Sequence, residues 1–358
     1  MASSIALRSE RSSADDSTSV DNRVATVATA ERGTMKAIVH ERYGRPDAPG
    51  VLELREVDKP VLEDDQVLVR VHAASVNPVE WYGVTGPYFA RIGNGLRKPK
   101  STAVGGDVAG RVEAVGRNVE EFQPGDEVFG TASHSWAEYA AARAARLAPK
   151  PANLSFEEAA AVPVAAISAL QALRDKGQIQ SGQKVLINGA SGGVGTFAVQ
   201  IAKSFGAEVT AVCSTGKVDL VRSLGADHVV DYTQEDFTKR GERHHLMLDI
   251  AGSRSFSAFR RALTPDATVV LIGGKMKYRG LGPLPHLAGT FLASRGRSQT
   301  VTFFLAKINT QDLVFLGELF ETGKVKPVID RRYELSDAPN ALAYLGEGHA
   351  RGKIVITV

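Results

Sequence analysis

The sequence predicts an α/β protein in two parts, a β-rich module and a doubly wound parallel sheet inserted into it. Three observations carry this expectation. Short strands punctuated by Gly and Pro fill the first third of the chain, strands and helices alternate through the middle, and the chain closes on one further strand. Within the alternating region a glycine-rich turn, Gly189-Ala190-Ser191-Gly192-Gly193-Val194-Gly195, follows an apolar strand and opens a helix.

Length and composition agree with two cores. At 358 residues the chain exceeds what one hydrophobic core usually serves. Hydrophobic residues at 43% and charged residues at 23% are ordinary globular values. The net charge of +3 is small and the basic residues are scattered, so no nucleic-acid partner is expected. One cysteine excludes an intrachain disulfide framework and a Cys-rich zinc site. No apolar run reaches the length of a membrane span, so no membrane partner is expected either. Residues 1–34 are rich in Ser, Thr, Ala, Asp and Arg and read as a disordered extension. Arg8 and Arg11 suit a transit peptide, whereas Glu10, Asp15, Asp16 and Asp21 do not. A solvated tail, or an upstream start before Met35, is the expectation, with a cytoplasmic location.

The elements follow in order. Segments 36–40, 51–57, 66–74, 108–115 and 125–130 read as short strands without regular helices between them, which suits a compact barrel-like module. The pattern changes near Asn153. Ser155 is a candidate N-cap, Glu157 and Glu158 supply an acidic first turn, and an apolar helical run follows to Leu173. Strands at 185–188, 209–213, 228–231, 246–251 and 268–273 then alternate with helices at 194–205, 217–224 and 255–263, the signature of a parallel, doubly wound sheet. Beyond a Gly/Pro-rich loop come an apolar strand at 300–305, a helix at 311–321 and a closing strand at 354–358.

The glycine turn has the layout in which backbone N–H groups and a helix N-terminus hold a dinucleotide pyrophosphate. The next strand ends in Cys213-Ser214-Thr215-Gly216-Lys217. NAD-binding proteins usually place an Asp or Glu here to accept from the ribose 2′-OH. A hydroxyl followed by a lysine predicts instead a preference for a 2′-phosphate.

Further motifs occur in a definite order: Ala74-Ser75-Val76-Asn77-Pro78, then Asp107-Val108-Ala109-Gly110-Arg111-Val112-Glu113-Ala114-Val115-Gly116, then Pro124-Gly125-Asp126-Glu127-Val128, the glycine turn, and Gly348-His349-Ala350-Arg351-Gly352-Lys353. With them the sequence resembles the medium-chain dehydrogenase/reductase superfamily from residue 35 to 358. Within it the resemblance is to the zinc-independent quinone oxidoreductase branch, including the reticulon-interacting oxidoreductases. It implies a GroES-like catalytic domain at 35–157 and 325–358 around a Rossmann NADPH-binding domain at 158–324. It also implies a homodimer, in which strand 300–305 would pair with its equivalent in a second copy.

The same resemblance implies roles for single residues. Gly189, Ser191, Gly192, Gly193, Val194 and Gly195 would surround the pyrophosphate, while Ser214, Lys217 and Tyr232 would bind the adenosine phosphate end. Ser168, Thr302 and Phe304 would border the cofactor, and His349, Ala350 and Arg351 would close a terminal clasp over it. Asn77, Tyr82 and Tyr88 would flank the nicotinamide and a small-molecule substrate, with either tyrosine able to donate to a substrate oxygen or relay a proton. Trp81 and Trp136 are candidates for pocket walls or core. In zinc-dependent members a Cys and a His hold catalytic zinc; those positions fall here at Asn77 and Gly106, with Asp107 following, and the four-cysteine lobe is missing. No metal is expected. Without a Lewis acid, an activated acceptor such as an enone, an enal, an enoyl-type biosynthetic intermediate or a quinone is the expected substrate. An NADP-dependent alcohol or aldehyde oxidoreductase and a non-catalytic NADPH-binding protein remain as alternatives.

Overall fold

The computed structural model describes residues 33–274 and 284–358. The expected N-terminal extension lies outside the described residues up to position 32; its last member, Thr34, already belongs to the first strand. That strand, β1 (Thr34–His40), pairs antiparallel with β2 (Leu52–Asp58). Next comes β3 (Gln66–Val76), an 11-residue strand around which the module is built. It is followed by α1 (Pro78–Thr85), α2 (Tyr88–Asn94), β4 (Asp107–Val115), β5 (Glu127–Thr131), β6 (Tyr139–Arg143) and β7 (Leu147–Pro149). On one side β3 pairs with β4 over most of its length. On the other side its first half pairs with β6 and its second half with the closing strand of the chain.

The helices α1 and α2 correct the expectation of a module without regular helices. At 8 and 7 residues they are too short for a 3.6-residue period to emerge from the sequence. The signals that existed were local: Pro78 at the first helical position and Gly86 in a left-handed C-cap with φ of 60°.

The helix expected from Ser155 to Leu173 is also divided, into α3 (Phe156–Ala160) and α4 (Pro163–Gln171). Pro163 has no N–H to continue the ladder, and its ring excludes the preceding helical turn. The expected N-cap is present: Glu158 N donates to Ser155 Oγ at 3.2 Å and Ser155 N donates to Glu158 Oε2 at 2.9 Å.

The alternating region then runs β8 (Lys184–Asn188), α5 (Gly193–Ser204), β9 (Glu208–Cys213), α6 (Val218–Ser223), β10 (His228–Asp231), β11 (His244–Asp249), α7 (Phe256–Phe259) and β12 (Leu263–Leu271). It continues through α8 (Leu284–Ser294), β13 (Thr300–Phe303) and α9 (Thr310–Glu321). The strands form a parallel six-stranded sheet in the order β10-β9-β8-β11-β12-β13. Side chains alternate across it. Val185 and Ile187 pack with Phe197 and Ile201 on one face, while Leu186 packs with Met247 and Phe259 on the other. Chain direction away from β8 reverses between β8 and β11, so their C-terminal ends define the crevice where such sheets bind ligands.

The chain returns to the β-rich module through β14 (Ile329–Glu334), α10 (Ala338–Glu347) and β15 (Lys353–Thr357). β15 pairs with β14 and with the second half of β3. Just before it, Gly352 bridges to Gly192 at the head of α5. The two sheets therefore meet at the glycine turn.

Candidate active site

The turn is shaped by contacts that only glycine permits. Gly189 has φ of 96°, and a methyl group on Gly195 would stand 2.2 Å from the Gly189 carbonyl oxygen. A methyl on Gly193 would stand 3.0 Å from Cδ of Lys353. Gly192 is the N-cap of α5, Ser191 is buried beside it, and Val194 packs onto the core. The first helical turn thus leaves the N–H groups of Gly193, Val194 and Gly195 without partners inside the helix, at the crevice and at the positive end of α5.

The residues expected at the adenosine end come together. Lys217 Nζ donates to the Ala350 carbonyl at 3.0 Å, and a methyl on Gly216 would lie 3.5 Å from Arg351 Nη2. Tyr232 is tied to the end of β9 by its N–H to Cys213 O at 3.0 Å, next to Ser214. Burial, and then the positive charge of Arg351, hold the Lys217 pKa below the ordinary lysine value. Asp330 fixes the clasp from behind, accepting from Arg351 N at 2.9 Å and from the Tyr344 hydroxyl at 2.9 Å. Sequence reasoning does not find Asp330, whose partners lie 14 and 21 residues away. His349 is exposed just beyond Gly348, whose φ of 75° ends α10.

Where the two sheets meet lies a buried polar cluster. Asn77, the N-cap of α1, is 2% exposed; Asp107, the first residue of β4, is fully buried; Lys353, the first of β15, is 3% exposed. Asp107 Oδ2 accepts from Ser75 Oγ at 2.6 Å, Asn77 Nδ2 at 2.9 Å and Lys353 Nζ at 3.3 Å. Its Oδ1 accepts from Val164 N at 3.0 Å, in the first turn of α4. Lys353 Nζ also donates to Asn77 Oδ1 at 2.5 Å and Val76 O at 3.3 Å. Glu80 completes the cluster, accepting from Asn77 N at 2.8 Å. Burial, and then the charge of Asp107, raise the Glu80 pKa to about 8. Lys353, Ser75 and Glu80 are not among the site residues expected from the sequence. Ser75 and Lys353 lie inside the motifs that carry the family resemblance, whereas Glu80 lies two residues beyond the nearest one.

The other site residues are placed as follows. Tyr82, on α1, is half-buried with its ring edge-on to Phe89 at 5.2 Å between centroids; burial raises its pKa, so it stays a phenol at neutral pH. Tyr88 opens α2 at 72% exposure, outside the buried cluster. Ser168 is buried on α4, whose first turn Asp107 holds. Thr302 lies on β13 opposite Val270, and Phe304 follows it, packed against the core, with Lys176 Nζ 6.0 Å from its ring centroid. Both stand at the far edge of the sheet, three strands from β8.

Trp136 is core, fully buried with Nε1 donating to Ser75 O at 3.2 Å, whereas Trp81 is half-buried against α10. Cys213 is buried and its thiol is pushed up to about 11, which leaves it an inert small hydrophobe. His244 begins β11, and its Nδ1 pairs with Ala262 O at 2.9 Å. From the sequence, the substrate lining is expected in the loops at 82–96 and 275–297; residues 275–283 of the second lie outside the described residues. Among the described residues no three His, Cys, Asp or Glu side chains gather to hold a metal ion, and no helix is long and apolar enough to cross a membrane.

Fold and site define a two-domain oxidoreductase that uses a nicotinamide cofactor. Comparison with known proteins supports that class. Residues 63–152 match the alcohol dehydrogenase GroES-like domain family, and residues 224–356 match a family described as zinc-binding dehydrogenase. The chain is 35% identical to a 2-methylene-furan-3-one reductase of Solanum lycopersicum, over 90% of this chain and 79% of that one. It is 34% identical to a chloroplast envelope quinone oxidoreductase homolog of Arabidopsis thaliana, over 90% and 98% respectively. Among solved structures, the quinone oxidoreductase from Coxiella burnetii superposes with a TM-score of 0.79 at 30% identity, covering 91% of this chain and all of the other. The chain belongs to the medium-chain dehydrogenase/reductase superfamily, in the group that contains the quinone oxidoreductases.

Proposed function

We propose that the protein is an NADPH-dependent reductase that works without metal and acts on an already activated acceptor. The acceptor is the C=C of an enone or enal, an enoyl-type biosynthetic intermediate, or a quinone. The observation that carries this reading is the ammonium of Lys353 among Asn77 Oδ1, Val76 O and Asp107 Oδ2. At the positions where zinc-dependent relatives place a Cys and a His, this chain has Asn77 and Gly106. An amide and a glycine do not make a zinc site, and the fixed charge of Lys353 opposes a second cation there. The donor set does not fit the metal.

The nucleotide end does fit a cofactor. Lys217 and Arg351 suit a 2′-phosphate, joined by Ser214, Tyr232, His349 and Ala350. The open turn of α5, with Gly189, Ser191 and Gly192, suits the pyrophosphate. Ser168, Thr302 and Phe304 are assigned to the nicotinamide half of the same site. When bound, NADPH supplies the hydride. The protein's part is alignment, exclusion of water, and donation to the acceptor oxygen as an enolate or hydroquinone develops there. Asn77 and Tyr82 are assigned to that donation. For an enone, Tyr82, Tyr88 or solvent then returns a proton to the α-carbon.

The domains of this reading are 35–157 with 325–358, and 158–324. A homodimer belongs to it as well. Support comes from the edge strand β13, which ends on Phe303 at 38% exposure, with Leu305 just beyond it at 77% and Phe291 at 39% and Leu292 at 63% on the neighbouring α8. A cytoplasmic location is supported by the acidic residues of segment 1–34 and is checked by cell fractionation. The main test is NADPH oxidation with 1,2-naphthoquinone, an aliphatic enone and a simple aldehyde, with and without a chelator. Turnover of the quinone or enone, indifferent to the chelator, is expected. Zinc-dependent turnover of the aldehyde alone would overturn the proposal.

A further inference from the structure

The buried cluster contains an amide whose hydrogen-bond inventory is nearly closed. Lys353 has three N–H donors, and three acceptors surround it: Val76 O, Asn77 Oδ1 and Asp107 Oδ2. The ammonium is saturated and has no donor left for a substrate. Asp107 likewise receives four hydrogen bonds, from Ser75, Asn77, Lys353 and Val164. Asn77 differs. Its Oδ1 is held by the ammonium at 2.5 Å and one Nδ2 hydrogen by the carboxylate at 2.9 Å. Its second Nδ2 hydrogen has no protein acceptor among the described residues.

The two flanking charges also decide which way the amide faces. Turned over, it would set its NH2 against the ammonium and its oxygen against the carboxylate, losing both charge-assisted bonds for two repulsions. With a cation on its oxygen, the amide is polarised and its N–H becomes a stronger donor. Lys353 begins on β15, its stem passes Gly193 at the head of α5, and its tip ends at Asn77. The position of the amide is therefore tied to the turn assigned to the cofactor pyrophosphate.

We propose that Lys353 and Asp107 are positioning residues that clamp the Asn77 amide, so that its remaining N–H is the donor to the substrate oxygen on which charge develops during reduction. The proposal rests on the reading of Asn77 as a hydrogen-bond donor to the acceptor. Neither positioning residue touches the substrate, and the ammonium acts through the amide it holds.

The test is a mutant cycle in the full-length protein, read as the single-turnover rate of NADPH oxidation by an aliphatic enone, with NADPH Kd measured separately by fluorescence. Replacing only Lys353 strands a buried carboxylate, so the main variant is the neutral pair Lys353→Met with Asp107→Asn. Loss of one oxyanion donor typically costs a factor of about 100 or more in rate, and that loss is expected of Asn77→Ala and of the neutral pair alike. The triple variant should be no slower than Asn77→Ala, and Kd should stay within about threefold throughout. A neutral pair of full rate, or losses that multiply in the triple variant, would overturn the clamp. Asn77→Ala of undiminished rate would overturn the reading of Asn77 itself, and the clamp with it. The isosteric Asp107→Asn gives a second arm should the pair fail to fold: a rate loss of at least about tenfold at unchanged Kd supports the clamp, and an unchanged rate refutes it.

Discussion

Replacing Glu80 by Gln tests the electrostatics of the buried cluster directly. Its carboxyl is buried at the third position of α1, accepts from Asn77 N, and faces Asp107 on β4 and Lys353 on β15. With Glu80 protonated, Asp107 and Lys353 balance and the cluster is neutral; ionising Glu80 adds an uncompensated buried negative charge. That is why its pKa rises from 4.5 to about 8, with burial the larger cause and Asp107 the next. A carboxyl whose pKa is raised on folding contributes stability that is complete below pH 4.5 and declines as pH rises, until the folded form also ionises near 8. The interval from 4.5 to about 8 corresponds to roughly 5 kcal/mol, or about 1.4 kcal/mol for each pH unit.

The Glu80→Gln substitution would keep the shape and an acceptor oxygen for Asn77 N while removing the titration. Urea unfolding followed by the fluorescence of buried Trp136, for both proteins at pH 6, 7, 8 and 9, isolates the contribution of this one residue. The stability difference should move in favour of Glu80→Gln by about 1.4 kcal/mol per unit between pH 6 and 8, then level off. Stability profiles that run parallel across this range would refute the assignment of a buried, protonated Glu80.

Three further outcomes are expected. Lys217→Ala removes a charge-assisted contact worth about 1.5–3 kcal/mol, so NADPH should bind roughly 10- to 100-fold more weakly while NADH is little affected; equal losses in fluorescence titrations would contradict the 2′-phosphate corner. Gly195→Ala places a methyl 2.2 Å from the Gly189 carbonyl, backbone that cannot swing aside, and should lower the thermal midpoint and abolish NADPH binding. Phe303→Glu puts a charge on the β13 edge and should shift sedimentation from dimer to monomer; an unchanged dimer would send the interface elsewhere on the surface.

What could be read in advance follows from the range over which each feature is encoded. The glycine turn and the strands around it are local patterns, with continuous buried runs in β8 and β9 and glycines where backbone approaches backbone, so they were legible within about thirty residues. The helices α1 and α2 of the β-rich module were not, because at 8 and 7 residues they make only about two turns each. The contact between Lys217 and the 349–351 clasp was partly legible: Lys217 stood out against an expected carboxylate, and Arg351 lay in a motif. The bond that brings them together, from Lys217 to Ala350 133 residues later, is a property of the fold alone.

Lys353 shows the limit most clearly. It stood in a motif beside the expected closing strand, where a lysine is usually solvated. Its burial is dictated by partners 246 and 276 residues earlier, Asp107 and Asn77, which no local pattern connects. In the proposed reading without metal, Asn77 and Gly106 were themselves informative, since they leave Asp107 in need of a cation. A buried aspartate without metal must find a positive charge in the chain. The lysine that provides it begins on the strand leading out of the nucleotide clasp, and so it joins the two ends of the site.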